Sequence, residues 1–311
     1  MIDYNKIMII TLDKKSVLYS TDAIELGIDV NSYFKKRNMF VKCLNHLDRY
    51  INTTFSRIAY GDWKKRLNGI ELLILNSHFF SKSVIKYVNK HYPHVRIIIW
   101  YSNPVSVDTP IDFFDGLNCE IWSFDKKDVE QFYLNYNNQF IDTSSLKVVS
   151  YEKKYKSELC FIGIDKGRLT YLTELQTFFK EVGIDSMIYI VDSSRNSSST
   201  YQYEKPLSYQ EVINYEGNSK AILDIVQENQ TGLSLRPIES IFLGVKLITN
   251  NNMVKYQDFY NEQNCFLLTE RPLSELKQFL NTPYIPVPDK ILEKYTLKNW
   301  INNFIRFDSD K

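Results

Sequence analysis

The chain has 311 residues, 44% of them apolar, with 38 basic against 37 acidic side chains for a formal net charge of +1; that length suits two globular domains better than one. The charge balance argues against a general nucleic-acid binder, which carries a basic excess, and leaves room for one local cationic site. Four scattered cysteines (Cys43, Cys119, Cys160, Cys265), four histidines without metal spacing and no apolar run near the roughly 20 residues of a bilayer span argue against a zinc site and a membrane segment.

The N-terminus, MIDYNKIMIITLDKK, lacks a secretory pattern, because its apolar run is short and charges follow at once. IMIIT (7–11) reads as a strand, and residues 30–51 carry apolar residues at helical spacing. SRIAY follows, then ELLILNS (71–77), a helix near 80–91, the strand VRIIIWYS (95–102) and the strand CEIWSF (119–124), with Asp125 placed to cap the next helix. Near-continuous apolar strands between helices imply a parallel sheet covered on both faces. Residues 137–157 break the rhythm, with four lysines between 147 and 156, and mark a domain boundary near 150.

The pattern then restarts: ELCFIGI (158–164) as a strand, 169–183 as a helix, SMIYIV (186–191) as a strand and 192–206 as a Ser-rich loop. Ser208 and Glu211 form a capping box; KAILDIV (220–226), KLIT (246–249) and NCFLL (264–268) complete the strands. TLKNWINNFIRF (296–307) closes the chain as an amphipathic helix. Cys119, Cys160 and Cys265 lie in or beside strand-like runs, which makes them buried core thiols; reduced cysteines fit a cytoplasmic compartment. Aromatic residues, 14% of the chain, serve the core first and offer stacking faces for carbohydrate second.

In a two-domain βαβ architecture ligands bind outside the carboxyl ends of the strands. Two loops of the second half stand out there. In FIGIDKGR (161–168), Gly163 and Gly167 bracket Lys166, and Arg168 begins the helix. A glycine turn, a helix N-terminus and two cations are a physical recipe for phosphate, although neither the dinucleotide fingerprint nor a Walker loop is present. In QENQTGLSLRPIE, Pro237 suits a first helical turn and Glu239 is expected in that turn, favoured by the helix dipole. Arg236 is a cation at a helix N-terminus, disfavoured by roughly 0.3–1 kcal/mol unless an anion lies in front of it. Lys166, Arg168 and Arg236 are therefore expected around a diphosphate.

The stretch GLSLRPIESIFLGVKLITNN, preceded by AILDIV, resembles the donor-site element of GT-B glycosyltransferases, and is most similar to bacterial lipopolysaccharide and capsule glycosyltransferases of the CgeB-like type. CFIGIDKGRLTYLTEL, IWSFDKKDVEQFYL and YQDFYNEQNCFLL share that look, and the resemblance is strongest from 158 to 270. It implies an α/β fold of two Rossmann-like domains facing across a cleft, with an acceptor domain over 1–150 and a nucleotide-sugar domain over 151–311, the last helix near their junction. It implies a hexosyl-type transferase that moves a sugar from a nucleoside-diphosphate donor, UDP-sugar foremost, to a glycan or lipid-linked glycan. No metal or other cofactor is expected, and no D-x-D motif appears. Gly163, Lys166, Arg168 and Arg236 are implied at the donor diphosphate, and Glu239 at the donor ribose. Many such enzymes carry a second acidic residue eight positions before the ribose carboxylate, where this chain has Thr231; Gln227, Glu228 and Asn229 are the nearby substitutes. On the acceptor side Asn103, Asp108, Asp112 and Asp115 leave a strand end, with Asp108 the candidate base of an inverting reaction. YFKKRNMF (33–40) is the candidate for peripheral contact with the inner membrane surface. The alternative is a two-domain small-molecule binding protein without catalysis, which has no need of cations at both loops.

Overall fold

The structure, a computed structural model, describes residues 3–12, 20–35, 39, 43–44, 59–106, 109–149, 157–192, 200–227 and 230–309. Two compact units divide the chain: Met1–Asn138 with Leu297–Lys311, and Gln139–Thr296.

The first unit is a six-stranded parallel sheet: β1 (Ile7–Thr11), β2 (Asp29–Ser32), β3 (Leu72–Asn76), β4 (Arg96–Tyr101), β5 (Glu120–Ser123) and β6 (Asn135–Tyr136), in the order β2-β1-β3-β4-β5-β6. β1 is buried along its whole length, as the apolar run IMIIT requires of a strand covered on both faces. Helix α1 (Thr21–Glu25) is capped by Ser20, α2 (Phe79–His91) by His78 and α3 (Lys126–Phe132) by Asp125, whose carboxylate accepts the Lys127 N–H at 2.9 Å.

Helical spacing over 30–51 did not decide the start of that segment. Val30 pairs with Ile9 in β2, so parallel pairing to a buried neighbour outweighs local periodicity; residues 36–38, 40–42 and 45–51 lie outside the described residues.

The second unit is a five-stranded parallel sheet: β7 (Ser157–Ile164), β8 (Ser186–Val191), β9 (Ser219–Asp224), β10 (Lys246–Thr249) and β11 (Cys265–Leu267), in the order β11-β10-β9-β7-β8. Helices α4 (Leu169–Glu181), α5 (Tyr209–Gly217), α6 (Leu235–Leu243) and α7 (Leu276–Asn281) accompany them. The predicted Ser208–Glu211 capping box is present.

The division falls at Asn138/Gln139, not near 150. Ile141 is buried and bridges to Thr296, and Asp142 caps the turn Thr143–Val148, so this polar-looking segment packs with the second unit. The last helix, expected with the second domain, belongs to the first. Trp300 and Phe304 are fully buried there; Trp300 meets Trp100 at 5.3 Å between ring centroids, and Phe304 meets Trp122 at 4.8 Å. Arg96 and the Asn137 amide donate to the Phe304 and Trp300 carbonyls at 2.8 and 2.9 Å, which ties the helix backbone to the sheet.

Candidate functional site

In the second sheet β7 is first in sequence among its strands, and its neighbours β8 and β9 lie on opposite sides of it. The chain reverses its direction of sheet growth between β7 and β9. In such sheets the crevice at the carboxyl ends of those two strands is where ligands bind.

The β7 end continues as a turn. Lys166 and Gly167 are both left-handed, at φ 49° and 83°, and the Arg168 N–H closes the turn on the Asp165 carbonyl at 2.9 Å. Two successive left-handed residues make a type I′ turn, which Gly167 adopts without strain and Lys166 does not. The Asp165 carboxylate, held by the Tyr203 hydroxyl at 2.7 Å, accepts the N–H groups of Arg168 and Leu169 at 2.9 Å each. The start of α4 is thereby capped from inside the loop.

Both arginines fold over the β7 end. Arg168 donates through Nε to the Asp165 carbonyl at 3.0 Å and through its two Nη groups to the carbonyls of Ile225 and Ile164, spanning the crevice from β7 to the residue after β9. Arg236, from the first turn of α6, donates to the Ile162 carbonyl, and its Nη1 lies 3.6 Å from Asp224 Oδ1. The two guanidinium groups lie 5.3 and 4.9 Å from the centre of the Phe161 ring. Gly163 sits beneath them: a Cβ there would stand 2.5 Å from Arg236 Nη2 and 3.5 Å from Arg168 Nη2. The sequence placed Gly163, Lys166, Arg168 and Arg236 together, and the structure brings all four to one strand end.

Most of the guanidinium bonds run to neutral carbonyls, so they fix the cations without cancelling their charge. Burial and then Arg236 lower Arg168 to about 10; burial, Arg168 and Arg236 in that order lower Lys166. An anion entering this crevice relieves that mutual repulsion.

Asp224 is the residue the sequence reading missed. It is fully buried, accepts from the Ser234 and Thr249 hydroxyls at 2.7 and 3.0 Å, and is the counter-charge of Arg236. Its signal was an acidic residue at the carboxyl end of an apolar strand, AILDIV. Ser234 in turn caps α6, accepting the Arg236 N–H at 3.3 Å, so strand end, cap and arginine form one unit.

Glu239 is not in the first turn of α6: Leu235, Arg236 and Pro237 fill it, and Glu239 lies in the second. It is 3% exposed and is turned toward Glu216 and Tyr209 of α5. Its carboxyl is buried among Tyr209, Glu216 and Arg236 and not presented to solvent, unlike the ribose contact expected of it. Of the remaining candidates, Asn103, Asp112 and Asp115 are exposed surface positions, while Asp108, Glu228 and Asn229 lie outside the described residues. In the segment 33–40, Tyr33 and Phe34 are buried, Lys35 pairs with Asp62 at 3.0 Å and Met39 is exposed; the rest lies outside the described residues.

Among the described residues no group of His, Cys, Asp and Glu is arranged to hold a metal ion, and no helix is long and apolar enough to cross a membrane. A separate cavity of about 530 Å³ lies along β11 and α7, lined by Tyr260, Arg271 and Phe279 among others; the cation cluster does not line it.

No protein-family profile and no curated protein matches the chain. Solved structures do. AviGT4, a glycosyltransferase involved in avilamycin A biosynthesis, superposes with a TM-score of 0.52 at 12% identity, over 98% of this chain and 96% of that one. A UDP-forming α,α-trehalose-phosphate synthase from Burkholderia xenovorans superposes with a TM-score of 0.54 at 9% identity, over 97% and 98% of the two chains. At these identities the likeness establishes the fold, two Rossmann-like domains of the GT-B type.

Proposed function

We propose that the chain is a glycosyltransferase that takes a nucleoside-diphosphate sugar, a UDP-sugar foremost, and passes the sugar to a glycan or lipid-linked glycan in capsule or lipopolysaccharide assembly. One observation carries the reading: Lys166, Arg168 and Arg236 converge at the β7/β9 strand ends, above a glycine that leaves room for them. The GT-B fold supports it, since the two solved structures of that fold described above are a glycosyltransferase and a UDP-forming synthase.

A donor diphosphate carries about two negative charges, and the leaving group gains charge as the glycosidic bond breaks. Fixed cations stabilise that developing charge more than the ground state, which is how they lower the barrier. Arg168 and Arg236 are already immobilised by carbonyls and by the Phe161 ring, so little reorganisation accompanies the reaction. In this reading Gly163 admits the two guanidinium groups and Lys166 reaches from the turn. At 3% exposure the Glu239 carboxyl is not offered to a ribose.

The test is a thermal-shift panel of UDP, GDP, ADP, UMP and free hexoses. A rise in melting temperature with one nucleoside diphosphate and a smaller rise with its monophosphate is the expected result. A response to free sugars alone would replace the transferase with a sugar-binding protein.

A further inference from the structure

Behind Arg236 lies a buried polar group that neither the fold nor the diphosphate reading uses. Glu216 on α5 is 1% exposed and Glu239 on α6 is 3% exposed, and the two carboxyls lie side by side between packed helices. No well-formed hydrogen bond reaches either oxygen of Glu216, the Tyr209 hydroxyl or Nε of Arg236, although Tyr209 and Glu216 both approach the Glu239 carboxyl near hydrogen-bonding range. Two ionised carboxylates offer only acceptors to each other. One proton converts that contact into an O–H···O bond and removes one buried charge, so the pair is expected to hold a proton where isolated glutamates would not.

The surroundings favour the same state. The charged or titratable groups that face the pair are Tyr209 on α5, Arg236 on α6, Asp224 at the end of β9 and Cys160 on β7; Asp142 faces Tyr209 from the segment before β7. Arg236 is the cation among them, and Asp224 already claims part of its charge. Burial foremost raises both carboxyls, Glu216 well above the usual glutamate range, and Arg236 pulls against that shift in each.

We propose that Glu216 and Glu239 act as one proton-sharing positioning unit for Arg236, whose ionisation weakens the hold of the site on a diphosphate. The proposal rests on the diphosphate reading of the crevice. With the pair protonated, Arg236 presents its positive charge toward β7. As the pair ionises, negative charge grows directly behind the guanidinium, competes with the incoming anion and draws the side chain toward α5. Neither glutamate touches the ligand; both act through Arg236.

The experiment is calorimetric titration of UDP from pH 5.5 to 9 into the wild type, Glu216→Gln, and the double variant Glu216→Gln/Glu239→Gln. The ratio of wild-type to variant affinity at each pH cancels the ionisation of UDP itself. The expected result is that wild-type affinity relative to the double variant falls by about tenfold across the range, the size of one charge acting through a partly buried site. The single variant keeps one ionisable carboxyl and loses part of the trend. Parallel profiles for wild type and variants would overturn the proposal. Should the double variant not fold, the single variant decides, because a wild-type profile unchanged by Glu216→Gln has the same meaning. Carboxyl infrared bands, followed without ligand over the same range, separate the two failures. A protonated carboxyl at neutral pH that is lost in Glu216→Gln, together with no UDP binding at any pH, overturns the diphosphate role while leaving the proton-sharing pair. Absence of that band overturns the pair itself.

Discussion

A methyl group at Gly163 would meet Arg236 Nη2 at 2.5 Å and the Phe161 ring at 3.3 Å, so the tip of the arginine has to move aside for it. Gly163→Ala should therefore leave the sheet folded, push the Arg236 guanidinium from the Ile162 carbonyl and weaken nucleoside-diphosphate binding by about tenfold, an effect on the scale of one lost charge-assisted hydrogen bond; calorimetry with circular dichroism as fold control reads it. Arg236→Ala should lower kcat by about 10²–10³-fold, as loss of a preorganised donor to a developing anion does. The buried glutamate makes a separate, ligand-free prediction. Burial and then Glu239 raise the Glu216 carboxyl in the folded protein, whereas the unfolded chain releases its proton near the ordinary value of 4.5. Its contribution is therefore fully present below that value and is lost as pH rises toward the raised folded value. Glu216→Gln cannot ionise, so its melting temperature should decline less than that of the wild type between about pH 6 and about pH 9; equal slopes would mean that Glu216 is ionised in the fold.

At the scale of elements, α6 carries the site because its cap, its first-turn arginine and the Asp224 strand end are bonded together. Ser234→Ala removes the cap and one of the hydroxyls that hold Asp224, and should cost about 1 kcal/mol of stability, with a larger loss in diphosphate affinity than that figure alone gives. The C-terminal helix is the opposite case, an element of stability only. Trp300 is fully buried against Trp100 and Phe304, so Trp300→Ala should cost about 3–5 kcal/mol while diphosphate affinity, measured below the lowered melting temperature, stays unchanged. The elements differed in how well they could be read from sequence. Strands such as IMIIT and CFIGI were legible because a strand buried on both faces needs a continuous apolar run. Asp125 and Ser208 were legible as caps because their bonds are local. Asp29–Ser32 was not, since only its pairing with β1 makes it a strand. The C-terminal helix was correctly amphipathic, but its partners Trp100 and Trp122 lie far back in the chain, so its allegiance to the first unit was invisible.

For the molecule as a whole, the decisive feature is strand order. The sequence supplied alternating strands and helices and hence two parallel sheets, but not the order β11-β10-β9-β7-β8, which brings the loop after β7 beside the residues after β9. That order explains why four residues chosen from two loops about 70 positions apart meet at one crevice, as the rule for ligand sites in such sheets requires. It also explains what was missed. Asp224 carried only the weak signal of an acid at a strand end, and Glu216 carried none; both gain meaning only once β9 and α5 are packed beside Arg236. The central claim, that this crevice holds a nucleoside diphosphate through its cations, is tested most directly by titrating UDP calorimetrically into the wild type and Arg236→Ala at one pH and low salt. Measurable binding by the wild type and a loss of at least about tenfold in the variant, the scale of one buried charge-assisted contact, are expected. Equal affinity in the two proteins would contradict it, and would leave Arg236 as a side chain that serves only Asp224 and the Ile162 carbonyl.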